Sequence, residues 1–443
     1  MFVTTRAPNP LVVLLAGVAL AAALTWVLPA GEYERREDPA TGRQVVVPGT
    51  YAPVEAAPVS PFAAFVAVPR GIAEAADVVA VVLFVGGAWV VLDVLGTLGR
   101  IVTAFVAGVG GRPSAAIPLV SVFFASMGAL ENMQEEIIPL VPVLLILGRR
   151  LGVDAITVVA MSGGAAMVGS AFGPTNPFQA GIAMRLAGLP PLAGAGLRAV
   201  LWAVAVGLWM AWTMRHAHRA SRPAEHDPSS VNPRVSGRDL LVMACLVVPM
   251  AAYVYGALAY EWGFNELSAG FLIGGIAAGL AGGWTLGRTL DVFLDGMKGL
   301  VTAAVLVGVA RSISLVLADG RVIDTVLQAL AAPLSGTSHH VAALLMVPFH
   351  AVIHIPVSSV SGHAVLTMPV LVPLSDLVGV SRQVTVLAYQ IGAGLTELLT
   401  PTNGSLMAIL VAAGVSYGQW VRFAWPGVMI AALAGVVCML SIG

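Results

Sequence analysis

Two short stretches of this chain set polar chemistry inside apolar surroundings. Gly173-Pro174-Thr175-Asn176-Pro177 interrupts one apolar run, and Thr400-Pro401-Thr402-Asn403-Gly404 interrupts another. Proline removes a backbone donor and clashes with the preceding turn, and a neighbouring glycine or second proline widens the break. A helix broken there leaves free amides on one half and free carbonyls on the other. The amide end, with Thr175, Asn176, Thr402 and Asn403 beside it, suits a carboxylate, whereas the carbonyl end suits Na+. A third stretch, Glu131-Asn132-Met133-Gln134-Glu135-Glu136, sets three carboxylates in six residues between apolar flanks. Ionisable groups at bilayer depth are costly and mark functional sites. Here they would bind a cation, a proton or a substrate ammonium.

A fourth polar stretch, His354 to His363, offers hydroxyls and imidazoles in place of carboxylates, with Ser359, Ser361 and His363 as candidate ligands. His350 and His354 fall one helical turn apart, a spacing that also suits a metal, but Ala351 stands where a metalloprotease needs its glutamate. A polar-lined cavity with a proton relay fits better. Arg311 is the one charge in the apolar span 300–317, so it needs a carboxylate such as Glu131 or Glu135, or an anionic substrate. Glu397, just before the second break, is a similar case.

The elements that position these groups follow from composition. Of 443 residues, 58% are hydrophobic and 10% charged, and mean hydropathy is +0.91. Soluble domains carry about 25% charged residues, so the solvent for most of this chain is lipid. A net charge of −1 argues against a nucleic-acid partner. Cys245 and Cys438 lie in apolar runs and read as small core residues. Apolar spans predict helices near 10–29, 76–98, 153–172, 195–214, 239–261, 267–284, 298–318, 383–399 and 421–442. The first is long enough to cross a bilayer and is no cleavable leader. The charged segment 31–58 and the linker 215–239 read as solvated loops. In 115–148 and 341–378 polar residues interrupt long apolar stretches. Each arm of the first holds about 11–16 apolar residues, too few to span alone, which predicts a re-entrant hairpin.

The chain also repeats itself. Ile138-Pro139-Leu140-Val141-Pro142 matches Met368-Pro369-Val370-Leu371-Val372-Pro373, and Pro174-Thr175-Asn176 recurs as Pro401-Thr402-Asn403. Aligning Pro139 with Pro369 sets Glu131-Asn132-Met133 opposite Ser361-Gly362-His363, so these are expected at equivalent hairpin tips. Arg215, Arg219, Arg222, Arg234 and Arg238 place the linker in the cytoplasm, together with Arg100, Arg112, Arg149 and Arg150. The odd helix at 239–261 then makes the two units antiparallel. The expected fold is an all-α polytopic membrane protein of two inverted repeats with re-entrant hairpins and broken helices. The first repeat covers 1–214, with its hairpin at 115–148 and broken helix at 153–188. A cytoplasmic linker covers 215–238. The linking helix and second repeat cover 239–443, with hairpin 341–378 and broken helix 383–413.

Five stretches carry a resemblance that runs from about Leu11 to Pro426: Pro29-Ala30-Gly31-Glu32-Tyr33-Glu34-Arg35, Gly128-Ala129-Leu130-Glu131, Ser361 to Pro369, Asp376 to Val384 and Pro401-Thr402-Asn403-Gly404. In these the chain resembles the YfcC-type branch of the C4-dicarboxylate anaerobic carrier family, within the ion transporter superfamily. It implies a homodimer in a bacterial cytoplasmic (inner) membrane, each protomer with a scaffold and an elevator-type mobile domain holding two re-entrant hairpins. Related symporters bind Na+ and carboxylates with Ser-Asn-Thr motifs at the hairpin tips. This chain departs from that pattern, with Glu131-Asn132-Met133 and Ser361-Gly362-His363 there instead.

These residues predict a secondary carrier for a small carboxylate-bearing metabolite, an amino acid or a C4-dicarboxylate, coupled to a cation or working by exchange. The alternative is an arginine/ornithine-type antiporter, and a more distant one an intramembrane metal enzyme. A channel would need a continuous polar pore, and no nucleophile–base set supports an enzyme. No cofactor is expected; the coupling ion would be Na+ or H+. Single cysteines at Ala40 and Ser229 are predicted to be labelled from opposite membrane faces, Ser229 from the cytoplasm. Labelling of both from one face would contradict the helix count.

Overall fold

The computed structural model describes residues 10–39, 43–174, 176–190, 192–220, 235–260 and 262–442. Thr175, Ala40, Ser229 and linker positions 221–234 lie outside the described residues, as does the side chain of Glu131. Eight described helical stretches are long and apolar enough to cross a membrane.

After α1 (Pro10–Val27), β1 (Gly31–Glu32) pairs antiparallel with β4 (Ala52–Pro53), and β2 (Arg35–Asp38) with β3 (Arg43–Val46). The reading of 31–58 as a solvated loop is thereby corrected. Tyr33, Val45 and Val46 are buried. The Tyr33 amide donates to Asp324 Oδ2 at 2.9 Å and its hydroxyl to Gln328 Oε1 at 2.5 Å. Burial, and then the charge of Asp324, push the Tyr33 phenol up to about 12.

Next come α2 (Pro61–Glu74), started by Pro61 and capped by Ser60, α3 (Ala76–Val94) and α4 (Thr97–Gly108). Then α5 (Pro113–Glu131) leads through a 3-10 turn, Glu135–Leu140, into α6 (Val141–Leu151). A single rod follows: α7 (Ala155–Val159), a π turn (Ala160–Gly164) and α8 (Ala165–Phe172). It stops at Gly173-Pro174 and restarts as a second π turn, Pro177–Gly181, with α9 (Ile182–Leu186), before α10 (Ala195–Arg219).

The second half opens with α11 (Gly237–Tyr260), α12 (Phe264–Ala281) and the 34-residue α13 (Leu286–Asp319). It continues through α14 (Ile323–Ala331), α15 (His339–His354), α16 (Val360–Val378) and α17 (Arg382–Tyr389) into a π turn, Gln390–Gly394. After the second break come α18 (Gly404–Ala412) and α19 (Tyr417–Ile442).

The likeness of the halves extends into local geometry. Gly152 ends α6 at φ 70° and Gly379 ends α16 at φ 77°, the left-handed cap that glycine takes without strain. Asp154 then caps α7 by accepting from the Thr157 amide, and Ser381 caps α17 by accepting from Val384. A π turn and a Pro-Thr-Asn break follow in both. One spacing relates Gly152 to Gly379, Asp154 to Ser381, Pro174 to Pro401 and Asn176 to Asn403.

Two expectations need correction. In the first hairpin α5 runs 19 residues and reaches spanning length, so the arm-length argument fails for that arm, whereas α6 holds 11 residues and stays too short to span. The second tip also lies earlier than the proline alignment sets it. The chain leaves helix between His354 and Val360, so Ser361, Gly362 and His363 belong to the first turn of α16.

Helix α13 packs on α1, α2, α3 and α18. A separate apolar cluster that includes Val85, Val91, Leu246, Phe271 and Phe293 joins α3, α11, α12 and α13. Near the first break, α5 and α8 touch through glycines. A Cβ at Gly128 would overlap the Ala166 carbonyl, and one at Gly169 the Ala125 carbonyl. Gly128→Ala and Gly169→Ala are each expected to cost about 1–3 kcal/mol by forcing these backbones apart. A lowered thermal midpoint of the purified protein checks this; unchanged midpoints would contradict the packing.

Candidate functional site

Helix breaks free backbone groups that must find partners, and the partners here build a cavity of about 430 Å³. Asn132, Gln134, Glu135 and Glu136 enter its wall from the first tip, and Ser358, Ser359 and Ser361 from the second. Glu397, Thr402, Asn403 and Ser405 enter from the second break, Arg311 from α13, and Glu74 and Asp77 from the α2–α3 junction. Phe178 represents the first break.

Asparagine does the same work after each break. Asn176 Oδ1 accepts from the amides of Phe178 (2.9 Å) and Gln179 (3.0 Å), and Asn403 Oδ1 accepts from Leu406 (3.2 Å). Both cap the restarting helix, which satisfies donors that the break exposes. Each side-chain amide nitrogen then reaches the first tip. Asn176 Nδ2 donates to Asn132 Oδ1 (3.2 Å) and Ser170 Oγ (2.8 Å). Asn403 Nδ2 donates to Gln134 Oε1 (3.2 Å) and the Glu397 carbonyl (3.2 Å). Asn132 sits at φ 59°, a conformation that asparagine tolerates, and ends α5. Its Oδ1 also accepts from the Ser170 hydroxyl.

The carboxylates are held individually. Gln134 Nε2 donates to Glu397 Oε2, and the Gln134 amide donates to Glu136 Oε2 at 3.2 Å. Ser405 Oγ donates to Glu135 Oε1 at 2.9 Å. The second tip is tied by its backbone: Thr402 Oγ1 donates to the Ile355 carbonyl (2.6 Å) and Ser314 Oγ to that of Pro356 (2.7 Å). Ser359 caps α16, accepting from the Gly362 amide at 3.3 Å.

Of the residues singled out from sequence, Asn132, Glu135, Glu136, Arg311, Ser359, Ser361, Glu397, Thr402 and Asn403 meet in this wall. Asn176 is buried behind it as a positioning residue, and His363 is buried among other histidines. Thr175 and the Glu131 side chain lie outside the described residues. The expected partner of Arg311 is corrected: its guanidinium stands 3.4 Å from Glu74, and both side chains are near half-exposed. Sequence reasoning passed over Gln134, Ser405, Glu74 and Asp77. Gln134 was the uncharged member of an acidic run, and Ser405 stands two residues past the Asn403 cap. Among the described residues no cluster of His, Cys, Asp and Glu has the arrangement of a metal site.

A sequence model described as the C4-dicarboxylate anaerobic carrier, DcuC, matches residues 8–442. The Escherichia coli protein named "Putative basic amino acid antiporter YfcC" is 34% identical over 372 residues, covering 79% of this chain and 74% of that protein. An uncharacterised Haemophilus influenzae protein is 27% identical over 495 aligned positions, covering 99% and 97%. The Alcanivorax borkumensis YdaH transporter superposes with a TM-score of 0.44 at 18% identity over 98% of each chain, too loosely to transfer detail. The chain is a multi-span membrane protein of the C4-dicarboxylate anaerobic carrier family, a family of transporters.

Proposed function

We propose that the cavity is the substrate site of a secondary carrier for a small metabolite with an ammonium or guanidinium group and a carboxylate, of the basic amino-acid class. One observation carries this reading. Glu74, Asp77, Glu135, Glu136 and Glu397 all line the cavity, whereas Arg311, the cationic residue in its described lining, is already paired with Glu74. Two unit charges 4 Å apart interact by about 4 kcal/mol at an effective dielectric of 20. A dicarboxylate would meet several such repulsions, and a substrate cation several attractions. The backbone amides at the Asn403-capped start of α18 would face the substrate carboxylate, since the Thr402 and Ser405 hydroxyls already donate to Ile355 and Glu135. The name carried by the Escherichia coli relative agrees with this assignment.

The repeat-related breaks and the two tips in one wall support antiparallel halves with re-entrant tips, working by an elevator movement in a homodimer of the bacterial cytoplasmic membrane. Coupling would be by exchange or by a cation, H+ or Na+. In proteoliposomes preloaded with arginine, labelled arginine is expected to enter by counterflow. Glu135→Gln, Glu136→Gln or Glu397→Gln should each reduce it about 10- to 150-fold, the loss of one charged contact of about 1.5–3 kcal/mol. Parental counterflow in all three variants, or counterflow of succinate and none of arginine, would refute the assignment.

A further inference from the structure

Behind the cavity wall lies a row of titratable groups that substrate binding does not use. His350, His354 and His363 are each fully buried. His350 Nδ1 stands 2.8 Å from His363 Nε2, and His363 Nδ1 stands 3.3 Å from His354 Nδ1. His354 Nε2 in turn stands 3.4 Å from Glu397 Oε1 in the cavity wall. His350 Nε2 at the far end, and His354 Nε2 beside Glu397, are both buried without a formed hydrogen bond among the described residues, so the Glu397 contact is within reach but not closed. Three imidazoles in an apolar interior are costly unless each ring nitrogen has a role.

We propose that Glu397, His354, His363 and His350 form a proton chain that sets the charge of the cavity wall and carries the coupling proton. The coupling role rests on the carrier reading above. A neutral imidazole has one donor and one acceptor nitrogen, so once the 3.4 Å His354–Glu397 contact closes to a hydrogen bond this row has two complete hydrogen-bond orders. With Glu397 ionised, His354 donates from Nε2, His363 from Nδ1 and His350 from Nδ1. With Glu397 protonated, every bond reverses: Glu397 donates to His354 Nε2, His354 Nδ1 to His363 Nδ1, and His363 Nε2 to His350 Nδ1, leaving the hydrogen of His350 on Nε2. The second order holds one proton more than the first. A proton arriving at His350 Nε2 therefore delivers one to Glu397, and each imidazole passes on one hydrogen as it accepts another. No histidine is charged in either end state, which suits their burial.

The groups that face the row leave this balance intact. Tyr389 packs its ring 5.3 Å from His350 and 5.4 Å from His363, and its hydroxyl donates to the Val360 carbonyl at 2.6 Å. Glu135 and Asp77 share the cavity with Glu397, and Arg311 there is paired with Glu74. Gln134 donates to Glu397 Oε2, which leaves Oε1 toward His354.

The test is nitrogen NMR of the full chain in nanodiscs, histidines labelled, across a pH series. His354, His363 and His350 are expected to exchange tautomers together, with no imidazolium signal. Glu397→Gln should abolish the exchange. His363→Phe should leave His354 following pH and uncouple His350. Tautomers that stay fixed across the pH series, an imidazolium at any of the three, or His350 still following pH in His363→Phe would overturn the proposal. Counterflow of arginine by the parent protein separates the two claims. Its absence would overturn the substrate assignment and leave the tautomer result standing.

Discussion

Backbone groups freed inside an apolar medium must be satisfied by protein, and most of this architecture follows from that requirement. Prolines 174 and 401 end two helices within the apolar interior, and each restart is capped by an asparagine oxygen. The amide nitrogen of the same asparagine is then committed to the first tip, Asn176 to Asn132 and Asn403 to Gln134. The caps, the tip and the cavity wall are therefore one hydrogen-bonded unit. Removing either asparagine would unpair groups on both sides of the cavity, and leaving a buried polar group unpaired costs about 1–3 kcal/mol.

That unit explains how so many carboxylates are held close together. A carboxylate at mid-bilayer costs at least about 2.5–3.5 kcal/mol on insertion scales. Glu135 has Ser405, Glu136 the Gln134 amide, and Glu397 the Gln134 side chain with His354 nearby. These partners are neutral donors and leave the carboxyl groups without a cationic side-chain partner, which gives the cavity an acidic lining. Arg311 does not change this, because Glu74 already meets it at the rim.

Much of this was legible in the sequence because proline, asparagine and glycine act locally. Pro174-Thr175-Asn176 and Pro401-Thr402-Asn403 announced the breaks, and the run 131–136 announced the first tip. What escaped depended on geometry that spacing does not carry. The proline alignment assumed equal rise along both arms. The segment after the first tip begins as a 3-10 turn, Glu135–Leu140, which climbs about 2.0 Å per residue against about 1.5 Å in the helical α16. Fewer residues reach the height of the matched proline there, which accounts for part of the misplacement of Ser361-Gly362-His363. The partner of Arg311 escaped because α2 is a 14-residue helix with an internal proline, too short to register among the apolar spans. The segment 31–58 was misread because its charges conceal Tyr33, Val45 and Val46, which anchor it.

The central claim is that an acidic cavity selects a cation-bearing substrate. Calorimetric titration of the purified protein with arginine and, separately, with succinate tests it most directly. The account predicts saturable arginine binding that weakens in Glu397→Gln, and no binding of succinate at neutral pH. Saturable succinate binding with none of arginine would contradict it.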